Sequence, residues 1–201
     1  TVVFDWSDVM GISGLQISHG VLDGEWFWFR LRRDNVPKGA HVEIDPSIVG
    51  QSTESAATRE NQQRKDFYAN GRYWVAYSNG THIVYKTSVD GSSWSGATLI
   101  GEGVYGYSFS WFFDVNAEYV HYVRDDGGST LLYRRGIPNS NGAITWSAAE
   151  QTALVGVSGV IYYYPQITVD SGGYPWIAYY RYGGAGARYP YVTKSSKNDG
   201  T

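Results

Sequence analysis

The chain has 201 residues, of which 42% are hydrophobic and only 17% charged, and it contains 18 Tyr, 8 Trp and 25 Gly. So many aromatic residues with so little charge exclude the disordered class, and a formal net charge of -3 offers no basic face for nucleic acid. There is no Cys, which excludes disulfides and thiolate metal sites, and no apolar run is long enough to span a bilayer.

The first 50 residues predict a β-strand lead-in that resembles part of a β-sandwich. Short strands are indicated by "VVFDWSDV", "GLQISHGVL", "GEWFWFRLRR" and "AHVEIDPSI", with turns at "LDGE" and "NVPKG". The next stretch, residues 51–65, is polar and free of aromatic residues, so we expect a linker there. Because the chain opens on a strand pattern, "TVVFDW", we expect it to be a piece of a longer protein.

An internal repeat follows, in residues 66–94, 112–146 and 167–201. Each copy predicts three antiparallel strands joined by polar or Gly-rich turns, and a fourth strand follows the Trp that ends the first two copies. Four-stranded meanders that recur every ~45–60 residues are typical of β-propeller blades. We therefore predict an all-β chain with about three blades, at 66–103, 104–157 and 158–201.

The third copy stops at "NDGT", where the pattern would next place a Trp. Propellers close with about four to eight blades. We expect this chain not to close a ring alone, unless its N-terminal part supplies strands or several copies assemble.

The stretch "SVDGSSW" ends the third strand of the first copy and has the composition of a structural turn. Asp90 can accept backbone N–H groups of its own turn, and Gly91 can take a positive φ. Ser88 can hydrogen-bond across the hairpin, and Trp94 can fold back over the turn and bury its ring. None of these side chains is placed for proton transfer.

These residues resemble the Asp-box repeat of sialidase-like (neuraminidase) β-propellers, Ser-x-Asp-x-Gly-x-x-Trp, in a form one residue shorter. Asn141, Gly142 and Trp146 form a degenerate second copy, with Asn where Asp would lie. The resemblance covers about residues 60–201. It implies a sialidase-like propeller whose boxes lie on the blade periphery, away from any active site.

A sialidase of that family would need an arginine cluster, a Tyr paired with a Glu, and an acidic Asp, and such enzymes are exceptions among glycosidases. The family's Arg-Ile-Pro signature is absent here, and no Asp stands in a recognisable acid/base context. We therefore predict no catalytic residue. A fragment of an exo-sialidase-type glycoside hydrolase is the alternative.

Carbohydrate binding without catalysis fits the sequence better. The aromatic runs "YGYSFSWFF" and "IYYYP" precede the second strand of their copies, so we expect them in innermost strands that line the propeller axis or its mouth. Only about half of such residues can face a ligand, because side chains alternate along a strand. The other reading is that these rings pack blade against blade. The candidate glycan-binding residues are Arg64, Tyr107, Trp111 and Tyr163.

The remaining expectations concern metals, partners and location. No cofactor is predicted, although Asp125, Asp126 and Asp170 stand in Gly-rich turns of a kind that also binds Ca²⁺, without EF-hand spacing. Expected partners are glycans or surface proteins, outside the cell or on its surface. Unpaired blade edges would also permit a homo-oligomer, such as a surface-layer, filament or ring subunit.

Overall fold

A computed structural model describes residues 16–19, 29–32, 48–55, 57, 63–101, 108–183 and 187–200. Every regular element in these ranges is a β-strand, and all pairings are antiparallel, so the fold is all-β as the sequence predicts. The lead-in contributes a two-stranded hairpin of β1 (Gln16–His19) and β2 (Phe29–Arg32). No helix within the described ranges is long and apolar enough to cross a membrane.

Sheet 1 is a four-stranded meander in chain order. It consists of β3 (Asp66–Ala69), β4 (Arg72–Ser78), β5 (Ile83–Ser88) and β6 (Thr98–Leu99). Its central strand β4 is buried on both faces, because apolar residues occupy successive as well as alternate positions. A sheet of this kind must be covered on both sides.

Sheet 2 has five strands and contains the second repeat. It consists of β7 (Phe109–Asp114), β8 (Tyr119–Asp125), β9 (Leu131–Pro138), β10 (Ile144–Trp146) and β11 (Gln151–Leu154). Strands β7, β8 and β9 are paired in chain order, and the fourth position is shared by the short strands β10 and β11, which both pair with β9.

Sheet 3 has three described strands in chain order. They are β12 (Val160–Val169), β13 (Pro175–Gly183) and β14 (Ala187–Lys194). The pairing of β12 with β13 shifts between Tyr163 and Gln166, which marks a β-bulge. Pro190 lies in the edge strand β14, where the missing N–H costs no ladder hydrogen bond.

The first strands of the three sheets lie side by side, so the sheets fan out from a common axis. Strand β3 contacts β7, and β12 contacts both β7 and β8. One apolar core fills the space between sheets 1 and 2, and a second core fills the space between sheets 2 and 3. Three radial antiparallel sheets with packed faces form a partial β-propeller.

Val49 and Gly50 pack on the back face of sheet 1, which points away from sheet 2. Val49 is fully buried against Val75, Tyr77 and Val84, and the backbone of Gly50 passes so close to the Tyr77 ring that a Cβ would clash. Thr53, in the stretch predicted as a linker, donates its N–H to Asn79 O at 3.4 Å, in the turn after β4.

Candidate functional site

The turn after β5, Ser88–Trp94, binds its own carboxylate. Asp90 Oδ1 accepts hydrogen bonds from the N–H groups of Ser92 (2.9 Å) and Ser93 (2.7 Å) and from the Ser88 hydroxyl (2.8 Å). These backbone donors hold the pKa of Asp90 well below its usual range. Gly91 has a φ of 73°, which few other residues adopt. The arrangement closes a turn and leaves Asp90 Oδ1 committed to it.

The corresponding turn after β9, Asn139–Trp146, ties sheet 2 to sheet 1. Arg72 Nε donates to Ser140 O at 2.6 Å, and Asn70 Nδ2 donates to Pro138 O at 2.5 Å. Within the turn, Asn141 Oδ1 accepts from Ala143 N at 3.0 Å. The backbone of Gly142 approaches Thr87 Oγ1 so closely that a Cβ would lie 2.7 Å from it, and Trp146 packs against the core between the two sheets.

The same tie recurs between sheets 2 and 3. Arg135 donates to the backbone carbonyls of Asn198, at 2.5 Å, and Asp199, in the turn after β14. Gly200 in that turn has a φ of 90° and lies against the Arg135 guanidinium. Turns at this end of the sheets thus join one sheet to the next, which is a structural role.

A different group of side chains lies along the propeller axis, where the three first strands meet. Arg64 is exposed, and its guanidinium carbon lies 4.8 Å from the centre of the Phe112 ring. The half-buried rings of Tyr163 and Tyr164 lie next to each other, with centroids 5.6 Å apart. We call Arg64, Phe112, Tyr163 and Tyr164 the axial surface.

Backbone contacts bring the parts of the axial surface together. Arg64 O accepts from Trp111 N at 3.2 Å, which joins sheets 1 and 2. The buried Gln63, which precedes Arg64, donates from Nε2 to Pro165 O at 2.8 Å, which joins sheets 1 and 3. Of the four residues predicted to bind a ligand, Arg64 is exposed and Tyr163 is half-buried beside this junction of the backbone.

The other two predicted residues do not belong to the axial surface as described. Tyr107 lies outside the described residues. Trp111 is fully buried, with its ring edge-on to Phe67 at 4.7 Å, in the core between sheets 1 and 2. The expectation that Trp111 faces a ligand was wrong, because its position along β7 points the ring toward sheet 1. Trp111 therefore packs between two blades, which was the alternative expectation for these aromatic residues.

The bulge in β12 places Tyr164 in an unusual conformation. Its φ is 54°, a left-handed value that costs a non-glycine residue about 1–3 kcal/mol. Bulges re-aim side chains and are frequent beside functional sites. Here the bulge turns two consecutive Tyr rings, 163 and 164, to partly exposed positions on one strand.

A buried carboxyl lies behind Tyr164. The Tyr164 N–H donates to Ser108 Oγ at 3.1 Å, and the Ser108 hydroxyl hydrogen-bonds in turn with Asp125. Asp125 Oδ1 also accepts from Gly127 N at 3.0 Å, while Oδ2 is buried and has no partner among the described residues. Burial raises the pKa of Asp125 to about 6, and the hydrogen bonds from Ser108 and Gly127 offset only part of this rise.

Substitution of Asp125 by Asn should change how stability depends on pH. The folded state holds the Asp125 proton up to about pH 6, whereas an unfolded Asp loses it near pH 3.9. In the native chain this carboxyl therefore lowers stability as pH rises through that window. The free energy of unfolding of Asp125→Asn minus that of the native chain should increase by about 1–3 kcal/mol between pH 4 and 7.

Urea denaturation at fixed pH values measures this difference directly. His121, whose pKa burial lowers to about 4, titrates in both proteins, so its contribution cancels in the subtraction. A difference that stays constant from pH 4 to pH 7 would show that Asp125 is not a buried, proton-holding group.

Several buried polar groups escaped the sequence reasoning. Arg124 is 5% exposed and pairs with the Glu150 carboxylate at 2.7 Å. His121 is buried in β8, with Nδ1 2.9 Å from the Tyr133 hydroxyl. The alternation of side chains along β8 is the sequence signal for these positions. Tyr122 and Arg124 share one face of the strand, and His121 and Asp125 share the other.

The carboxylates considered for Ca²⁺ are engaged in their own turns. Asp126 Oδ1 accepts from Gly128 N and Thr130 N, and Asp170 Oδ1 accepts from Gly172 N and Tyr174 N. Asp170 also forms an ion pair with Lys194 at 2.8 Å. Within the part of the chain that the structure describes, no group of three potential metal ligands comes together.

A cavity of about 330 Å³ lies between sheets 2 and 3, at the end where the turns tie the sheets. His121 and Arg135 reach it, but Arg135 binds backbone carbonyls and lies over the Tyr119 ring at 4.1 Å. Asp114, at its rim, accepts backbone N–H groups of its own turn. Its charged groups thus serve the fold, and the axial surface remains the better candidate site.

Comparison with known proteins finds remote structural similarity. No known family model matches the chain, and no curated protein sequence does either. An alpha-L-arabinofuranosidase of Podospora anserina, solved with cellotriose, is 15% identical with a TM-score of 0.44 over 67% of this chain and 46% of its own. An endo-arabinase of Bacteroides thetaiotaomicron is 12% identical with a TM-score of 0.43, over 67% of this chain and 57% of its own.

The catalytic domain of a Coprinopsis cinerea alpha-L-arabinofuranosidase is 14% identical with a TM-score of 0.49, over 100% of this chain and 70% of its own. The chain thus spans about half the length of the first two structures. All three similarities are remote, and no function of this chain follows from them.

Proposed function

We propose that the axial surface binds carbohydrate and that the chain is a non-catalytic glycan-binding propeller module. The observation that carries this proposal is the combination of the exposed Arg64 guanidinium, lying over Phe112, with two partly exposed Tyr rings on the neighbouring first strand. Aromatic faces pack against the apolar C–H faces of sugar rings, and their hydroxyl groups add polar contacts. This composition suits a saccharide better than an extended apolar ligand.

Arg64 also favours one kind of saccharide. A guanidinium presents several N–H donors in a plane and pairs bidentately with a carboxylate. A sugar that carries a carboxylate would therefore gain a charge-assisted contact that a neutral sugar lacks. Sialic acids carry such a carboxylate, and the repeat sequence resembles that of sialidase-like propellers.

Titration calorimetry with sialyllactose, lactose and neutral arabino- and cello-oligosaccharides tests the proposal. Arg64→Ala and Tyr163→Ala should each weaken binding by about tenfold, the equivalent of about 1.4 kcal/mol. Tyr189→Ala is the matched control, because Tyr189 is 59% exposed but belongs to the outer strand β14. Equal losses in all three variants, or no binding of any saccharide by the native chain, would refute the proposal.

Glycoside hydrolysis is the second candidate function, and Asp125 is the observation that favours it. A carboxyl with a pKa near 6 is suited to act as a general acid close to neutral pH. However, only 6% of Asp125 is exposed, and most glycosidases need a second carboxyl group on the other side of the bond. Turnover of fluorogenic sialosides or arabinofuranosides that Asp125→Asn abolishes would replace the binding proposal by this one.

A further inference from the structure

Tyr180, on strand β13, extends the aromatic part of the axial surface onto sheet 3. Its side chain is 45% exposed, and its ring lies nearly perpendicular to that of Tyr164, with the centroids 6.4 Å apart. The Tyr164 ring in turn lies 5.6 Å from that of Tyr163, again between centroids. These spacings are those of interacting aromatic pairs, so three tyrosine rings form one cluster.

The pairing of the strands sets the direction in which this cluster extends. Tyr163 in β12 is the cross-strand partner of Tyr180 in β13, and Tyr180 is the partner of Pro190 in β14. Directly paired residues point to the same face of a sheet, and neighbouring strands lie about 4.8 Å apart. A row of three ring-bearing residues thus crosses sheet 3 over about 10 Å, from its first strand to its edge strand.

The row is joined to Arg64 through the backbone. Gln63 Nε2 donates to Pro165 O at 2.8 Å, and these two residues directly adjoin Arg64 and Tyr164 in the chain. Arg64 therefore lies near the axial end of the row, and Tyr180 lies farther out on the sheet.

Packing between blades does not account for a tyrosine at position 180. The strand sequence "YWVAYS" of sheet 1 recurs as "PWIAYY" in sheet 3, so Ser78 corresponds to Tyr180. Ser78 is buried, and its hydroxyl accepts the N–H of Gly80 at 3.2 Å in the turn that follows. In the copy whose faces are both covered, a small polar residue thus fills this position. The exposed phenol ring of sheet 3 is an addition that the contact between blades does not require.

The opposite end of the same face is occupied by charged groups of the chain itself. Trp176 Nε1 donates to Asp170 Oδ2 at 3.0 Å, and Lys194, which pairs with Asp170, lies 5.1 Å from the centre of the Trp176 ring. The row at the axial end, by contrast, consists of two tyrosines and a proline. It offers ring faces and hydroxyl groups without a charge.

We propose that the carbohydrate bound at the axial surface is a chain of several sugar units, whose further units lie across sheet 3 on Tyr180 and Pro190; this deepens the proposed carbohydrate binding, on which it rests. Ring faces pack on the C–H faces of sugar rings, and phenol hydroxyls supply polar contacts. Because the row carries no charge, the units that lie on it are neutral. A unit that carries a carboxylate lies at the other end, at Arg64.

Titration calorimetry of the full chain with probes of two lengths tests this extension. The probe pairs are N-acetylneuraminic acid with sialyllactose, and cellobiose with cellohexaose. In a pair that the native chain binds, the longer probe should bind at least about tenfold more tightly than the shorter one. Tyr180→Ala should abolish this gain, because the outer units lose the ring on which they lie. Tyr180→Ser, which introduces the residue that sheet 1 carries at this position, should abolish it equally.

Tyr180→Phe and Tyr189→Ala are the matched controls. Phe keeps the ring and should retain most of the gain. Tyr189 is 59% exposed and directly precedes Pro190, but its side chain points to the opposite face of β14, so its removal should leave the gain unchanged.

The outcomes separate this extension from carbohydrate binding as such. Equal affinity for both lengths, an undiminished gain in Tyr180→Ala and Tyr180→Ser, or an equal weakening of both lengths would contradict the extension and leave binding at the axial surface in place. Absence of binding for all four probes would refute the proposed function itself, and the extension with it.

Discussion

Replacing Trp111 by Ala should lower the free energy of unfolding by about 3–5 kcal/mol. The indole is fully buried between sheets 1 and 2, edge-on to Phe67 and within 6.5 Å of Tyr85 between ring centroids. Removal of the indole leaves a cavity between sheets 1 and 2. The cavity can close only if the two sheets move toward each other. Chemical denaturation, followed through the remaining Trp residues, measures the loss.

Trp111→Phe is the matched control and should cost much less. Trp111 Nε1 is buried without a hydrogen-bond partner among the described residues, so Phe keeps most of the packing and removes an unsatisfied donor. The folded Trp111→Phe variant should bind saccharide as the native chain does. If Trp111→Phe keeps full stability but loses saccharide binding, Trp111 contacts the ligand and is not buried as described.

Removal of either partner of the Arg124–Glu150 pair should cost about 3–5 kcal/mol. Two hydrogen bonds, of 2.8 and 2.7 Å, join the guanidinium to the carboxylate, and the side chains are 6% and 7% exposed. Glu150→Ala leaves a buried guanidinium without its counter-charge, and Arg124→Ala leaves a buried carboxylate. Urea denaturation at pH 7 measures both variants.

The double replacement Arg124→Met with Glu150→Met distinguishes the cost of losing the ion pair from the cost of leaving one buried charge without a partner. Apolar residues of similar size remove both desolvation costs, so the double variant should be more stable than either Ala variant. A Met–Met variant that is no more stable than the less stable of the two Ala variants would show that the pair is not buried as described.

The sheets could be predicted from sequence because strand patterning and turn residues are local. The run of aromatic and β-branched residues in "RYWVAYS" and a Gly in the turns before and after it are enough to place β4 between two hairpins. The tie between Arg72 and Ser140 could not be predicted this way. It joins residues that are distant in sequence and meet only when two sheets have already packed.

The ligand-facing residues could be predicted only in part, for the same reason. Alternation along β7 indicates that Trp111 and Phe112 face opposite sides, but it does not say which neighbour covers each side. That choice depends on sheet 1, whose core includes Trp111. The strained conformation of Tyr164 leaves no signal in the sequence either, since nothing in "IYYYP" marks a left-handed Tyr.

The most direct test of this account is an NMR titration of the isotope-labelled 22.4 kDa chain with a saccharide that it binds. Amide shifts should move at Arg64, Lys65, Phe112, Tyr163 and Tyr164, and remain unchanged in the turns that contain Asp90 and Asn141. Shifts that cluster in those turns instead, with the axial amides unmoved, would contradict both the structural role of the turns and the position of the binding site.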